Sequence, residues 1–158
     1  MTSTYRIEDE PQSSQFSHLV VNPFWPLLGL MFGGAWLAWP WFVVNGFAVG
    51  SPTRWRELGW VIGGFIGSTV LAVTIFVLYN NNVIHSDSSI QYAILVLLVW
   101  KITVSYTVFT LQARTFELYE YYGGIVRNGI WVLLLATFLG RKAVLTLLPF
   151  KLWILVMS

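Results

Sequence analysis

The chain of 158 residues has no cysteine, so disulfides, thiolate chemistry and cysteine metal sites are excluded. Charge is scarce: only 10% of residues are Asp, Glu, Lys or Arg, where a soluble domain carries about 25%. The net charge of +2 is spread thinly and forms no basic stripe, so nucleic acid is not an expected partner. The two histidines, His18 and His85, stand far apart with no carboxylate cluster beside either. HExxH, a Gly-rich phosphate loop and paired carboxylates at membrane depth are all missing. A nucleophile also needs a base within reach. The expectation is therefore a protein that is not an enzyme and uses no metal or cofactor.

What is abundant is apolar surface, at 56% of residues with nine Trp. Positions 19 to 52 and 58 to 84 hold no Asp, Glu, Lys or Arg, which makes charge-free runs of 34 and 27 residues. About 20 apolar helical residues cross the ~30 Å hydrocarbon layer of a bilayer. A soluble fold would have to expose runs of this size as a large apolar patch. The N-terminal tail contains Glu8, Asp9 and Glu10 beside Arg6, unlike the basic start of a signal peptide, so the first run reads as a retained span.

These features predict an all-α integral membrane protein, a four-helix transmembrane bundle with a short disordered N-terminal tail. Residues 1–21 form the polar acidic tail and 22–158 the transmembrane domain, with spans at about 24–46, 57–79, 89–111 and 129–148. Asn22-Pro23 or Pro26 starts the first span, and Pro40 inside it removes a backbone hydrogen bond and crowds the Trp36 carbonyl, which predicts a kink. Ser51-Pro52 reads as the cap and first residue of the second span, and Ser88 or Ser89 as the cap of the third. The third helix continues past the membrane to Tyr122, where Gly123-Gly124 stops it. The fourth span has two solutions, Tyr122–Gly140 or Gly129–Leu148. The second carries Arg141 and Lys142 into the bundle. The tail from Phe150 to Ser158 is expected along the interface. Arg54, Arg56, Arg114 and Arg127 place the first and third loops in the cytoplasm and the N-terminus outside. Arg141, Lys142 and Lys151 argue the other way.

Small residues mark helix-packing faces. Gly59, Gly63 and Gly67 recur every fourth residue, and Gly64, Ser68 and Ala72 form a second row about 100° away. Gly29/Gly33 and Gly34/Ala38 repeat the device in the first span. Such rows let membrane helices approach closely, either within one chain or between two.

Lys101 falls near the middle of the third span, where a charge costs ~3 kcal/mol on insertion scales. Ser105, Gln112, Thr115 and Tyr119 lie within about 40° of it on the helix, a polar stripe leading to one surface. The apolar runs contain no Asp or Glu to serve as its counter-ion. Lys101, Ser105 and Gln112, with Arg141 and Lys142, form the candidate intramembrane polar site.

Asn22-Pro23-Phe24-Trp25 with Gly33-Gly34, a short basic first loop, and Leu111-Gln112 followed by Gly123-Gly124 resemble a group of small bacterial four-span membrane proteins of uncharacterised function. The resemblance covers roughly Asn22 to Leu148. It departs at Ile125-Val126-Arg127-Asn128, where the family's linker is more polar and basic. It implies the four-span topology and a multi-pass place in a bacterial inner membrane. The functional expectation is helix–helix association with a partner membrane protein or with itself, as an accessory subunit or an immunity or defence factor. The alternative is a homo-oligomeric channel or small transporter lined by the Lys101 stripe.

Overall fold

The computed structural model describes residues 15–84, 86–140 and 155–157, and these are all-helical apart from turns and one isolated bridge between Val21 and Arg127. Five helices follow in order: α1 (Phe24–Phe32), α2 (Ala35–Val49), α3 (Arg54–Asn80), α4 (Asp87–Tyr121) and α5 (Ile130–Leu135), the last running into a wider π-helical turn at Ala136–Gly140.

The expected first span, 24–46, is two helices. The break falls at Gly33-Gly34, and α2 runs on through Pro40. Gly34 has φ +96°, a conformation that costs glycine nothing and side chains a great deal. The Gly33 and Gly34 N–H groups both donate to the Gly29 carbonyl and close α1. The chain then folds back on itself. A Cβ placed on Gly29 would touch both Leu37 and Trp41 at 3.5 Å, so α1 lies against α2 as a tight hairpin. Alone, α1 is ~14 Å long and α2 ~22 Å, and neither reaches across ~30 Å of hydrocarbon.

Among the described residues two helices are long and apolar enough to cross a membrane, α3 with 27 residues and α4 with 35. They pack antiparallel along their length. The α3 cap is Thr53 rather than Ser51, because Ser51 turns its hydroxyl inward. The α4 cap is Ser86, whose Oγ accepts from the Ser89 N–H at 3.2 Å, so the helix begins two to three residues earlier than the serine run suggests. As expected, α4 runs unbroken past residue 111 to Tyr121 and stops at Gly123, where φ is +80°.

Contacts fix the relative depth of these elements. Gly46 of α2 faces Glu57, Trp39 faces Gly64, and Trp36 lines a cavity with Phe65. The hairpin therefore enters from the end where α3 starts and turns about halfway along it. Gly129 sits against Trp25 and Gly140 against Trp36, so residues 129–140 follow the hairpin inward from the same end. The N-terminal segment is pinned at that end too: the Arg127 N–H donates to the Val20 carbonyl at 2.7 Å, and Val20 packs with Ala48, Val49 and Phe116.

One apolar core fills this half, built from Leu30, Ala35, Ala38, Trp39, Phe42, Val104 and Val108. In the other half of the α3–α4 pair, Val70, Val73, Phe76 and Val77 are exposed on α3 and Leu95, Val96, Leu98 and Val99 on α4. Exposed threonines on the same helices hide their hydroxyls: Thr74, Thr103 and Thr107 each donate to the carbonyl four residues back at 2.8 Å.

Candidate functional site

The polar groups lie inside. Asn45, Ser51, Glu57, Ser68, Lys101, Ser105, Gln112 and Thr115 are all buried, while large apolar side chains cover the outside. The sequence-derived stripe Lys101, Ser105, Gln112 and Thr115 is the face that α4 turns to the interior, with Tyr119 half-buried at its end.

The densest cluster centres on a residue that sequence reasoning passed over. Glu57 lies in the short gap between the two charge-free runs, in the first turn of α3, and is only 1% exposed. Its Oε1 accepts from Ser51 Oγ at 2.6 Å and Thr53 Oγ1 at 2.8 Å, and its Oε2 accepts from Gln112 Nε2 at 2.8 Å. Those three donors are neutral, and the positive end of the α3 macrodipole supplements them. Gln112 Nε2 also donates to the Phe42 carbonyl at 2.6 Å, while its Oε1 accepts from Asn45 Nδ2 at 3.3 Å. Asn45 Oδ1 takes the Val21 N–H at 3.0 Å. One knot thus ties the N-terminal segment, α2, α3 and α4 together, with both Gln112 N–H groups used. A Cβ at Gly46 would collide with the Glu57 carboxylate, so α2 is held as close as backbone allows. The sequence signal for this knot was a Thr followed four residues later by Glu at a helix start, close to the spacing of a capping box.

A second polar pair lies deeper. Ser105 Oγ accepts from Trp39 Nε1 at 3.0 Å, and one turn earlier Lys101 Nζ donates to the Leu155 carbonyl at 2.8 Å. The partner of the buried lysine is therefore backbone from the C-terminal segment. Val156 of that segment is itself buried, so residues 155–157 pack inside rather than along the interface. Among the described residues, the buried Val108 and Phe42 stand along α4 and α2 between this pair and the Glu57 knot. Arg141 and Lys142 lie outside the described residues.

The small-residue rows have different fates. Gly64 is filled by Trp39 and Val104, Gly67 by Trp100, and Ser68 and Ala72 are buried, so this seam is internal. The Ser68 hydroxyl finds no partner among the described residues. Trp100 Nε1 donates to the Gly64 carbonyl at 3.2 Å across the seam. Gly29 and Gly33 receive Leu37 from their own hairpin. At Gly59 and Gly63 a Cβ would meet nothing within 4 Å among the described residues, which leaves a notch on the exposed face of α3. Among the described residues no three His, Asp or Glu side chains converge on a point. No family model, curated protein or solved structure matches this chain.

Proposed function

We propose that this chain is a multi-pass protein of the bacterial inner membrane with no catalytic role, acting through lateral helix–helix association with a partner membrane protein or a second copy of itself. The observation that carries the reading is the split along the glycines of α3: Gly64 and Gly67 are filled from inside the chain, while among the described residues nothing fills the Gly59/Gly63 notch beside the exposed Ile62, Ile66 and Val70. In lipid, close backbone approach at small residues is a main source of helix affinity. The inward turn of Lys101, Ser105 and Gln112 supports association over a channel lined by that stripe.

In this reading α3 and α4 cross the bilayer and the α1–α2 hairpin enters halfway. Arg54, Arg56, Arg114 and Arg127 gather at the end where the hairpin enters, and the other end holds Asn80, Asn81, Asn82 and Asp87. The basic end is then cytoplasmic, and the N-terminal segment lies with it. This keeps the first and third loops on the cytoplasmic side, as expected from four full spans, and moves only the N-terminal segment to that side, because a half-inserted hairpin returns to the side it came from.

The test is the mass of the assembly extracted in native nanodiscs, for the natural chain and for Gly63→Ile. The expected result is a complex, homomeric or with one stoichiometric second protein. Gly63→Ile is expected to release a monomer with unchanged thermal unfolding. A monomeric natural chain, or a complex indifferent to Gly63→Ile, would contradict the reading.

A further inference from the structure

Lys101 is 4% exposed, and its ammonium carries three donors. The acceptor it meets is a neutral carbonyl, that of Leu155, at 2.8 Å. Two residues on, Met157 lines a cavity of about 300 Å³ together with Trp36, Trp39, Val61, Ile62 and Phe65. That is twice the ~150 Å³ of an apolar cavity that stays dry and takes up benzene. A second bridge links cation and cavity: Trp39, which forms a wall, is fixed through Nε1 to Ser105, one helical turn from Lys101 on the same face. On its outer side the cavity is bordered by Ile62, which is half exposed on the α3 surface that faces lipid in the proposed orientation.

We propose that Lys101 and this cavity form a binding site for a free fatty acid, whose carboxylate takes the place of the Leu155 carbonyl on Nζ and whose acyl chain lies between Trp36 and Trp39. A carboxylate makes a shorter and stronger bond to an ammonium than a neutral carbonyl does, and it cancels the buried charge. The cavity walls offer only apolar groups to the chain, and the bilayer beside Ile62 supplies it. Leu155 and Met157 hold both positions when the site is empty of lipid: one gives the acceptor, the other fills part of the cavity. The site commits to a single chain with a free carboxylate, because one ammonium is tied to one cavity through Leu155–Met157 and through Ser105–Trp39.

The experiment uses the full chain in phosphatidylcholine nanodiscs and follows Trp emission on adding dibromostearic acid or dibromostearyl alcohol. Two of the nine Trp line the cavity, so about a fifth of the emission is expected to be lost in a saturable phase. The acid is expected to saturate at a concentration at least about tenfold below the alcohol. Lys101→Met is expected to erase that preference. Val61→Phe leaves Lys101 in place and narrows the cavity, and it is expected to abolish the saturable phase for both probes. Equal response to acid and alcohol in the natural chain, a preference that survives Lys101→Met, or a saturable phase that survives Val61→Phe would each overturn the proposal. So would a brominated phosphatidylglycerol that displaces the acid at equal concentration, since it would assign the site to phospholipid.

Discussion

Replacing Gln112 with Leu is expected to lower the stability of the fold by about 3 kcal/mol or more, the largest effect of any single side chain. Gln112 gives one N–H to Glu57 and one to the Phe42 carbonyl, and accepts from Asn45. Leu at this position abandons all three. The heaviest consequence is a carboxylate at 1% exposure that has lost one of its three donors. Glu57→Gln is expected to cost less, about 1–2 kcal/mol, because Ser51 and Thr53 can still donate to its remaining oxygen while its amide faces that of Gln112 donor to donor. The double variant Glu57→Leu/Gln112→Leu is expected to be milder than the sum of its parts, since it removes the stranded charge along with its donor. Thermal unfolding of the natural chain, Glu57→Leu, Gln112→Leu and the double variant in one detergent, followed by circular dichroism, gives the coupling. Strict additivity would show that Glu57 does not depend on Gln112.

Gly67→Leu is expected to have the second-largest effect, about 2–3 kcal/mol of destabilisation. Its Cβ would run into the Trp100 ring, and that ring is held across the seam by its bond to the Gly64 carbonyl. Moving Trp100 breaks the bond and opens the contact between α3 and α4. Gly63→Leu, one turn away, is expected to stay within about 0.5 kcal/mol in the isolated chain because nothing lies near it. The pair separates the filled end of one row from its open end: unfolding reads Gly67 and assembly mass reads Gly63. Equal destabilisation by the two substitutions would show that α3 has no free face.

The parts of this fold that depend on hydrophobic length were legible from sequence. Charge-free runs marked α3, the stripe on α4 was placed from Lys101 by helical periodicity alone, and Gly123 ended α4 where expected. The α1–α2 hairpin was not legible, because a run of 34 residues without charge reads as one span whether it crosses or turns back. The deciding feature is the positive φ at Gly34, and a Gly-Gly pair inside an apolar run is equally a packing motif. Pro40, where a kink was expected, lies inside α2, which is one helix from Ala35 to Val49. Glu57 was missed for a related reason. A carboxylate just outside an apolar run reads as an interfacial residue, and only the tertiary approach of Gly46 and Gln112 makes it the buried centre of the knot. The acceptor for Lys101 was out of reach as well, since it is a backbone carbonyl 54 residues away.

The proposed half-insertion of the α1–α2 hairpin, which would put the N-terminal segment on the same side as the α3 start and the α4 end, is tested most directly by single-cysteine labelling. The natural chain has no cysteine, so each introduced thiol reports alone. His18→Cys, Asn81→Cys and Glu120→Cys all place the thiol at an exposed position. With a membrane-impermeant maleimide on cells whose outer membrane has been permeabilised, Asn81→Cys is expected to react while His18→Cys and Glu120→Cys stay unlabelled until the inner membrane is opened. Labelling of His18→Cys together with Asn81→Cys, with Glu120→Cys protected, would mean that the first apolar run crosses the bilayer and would contradict the hairpin.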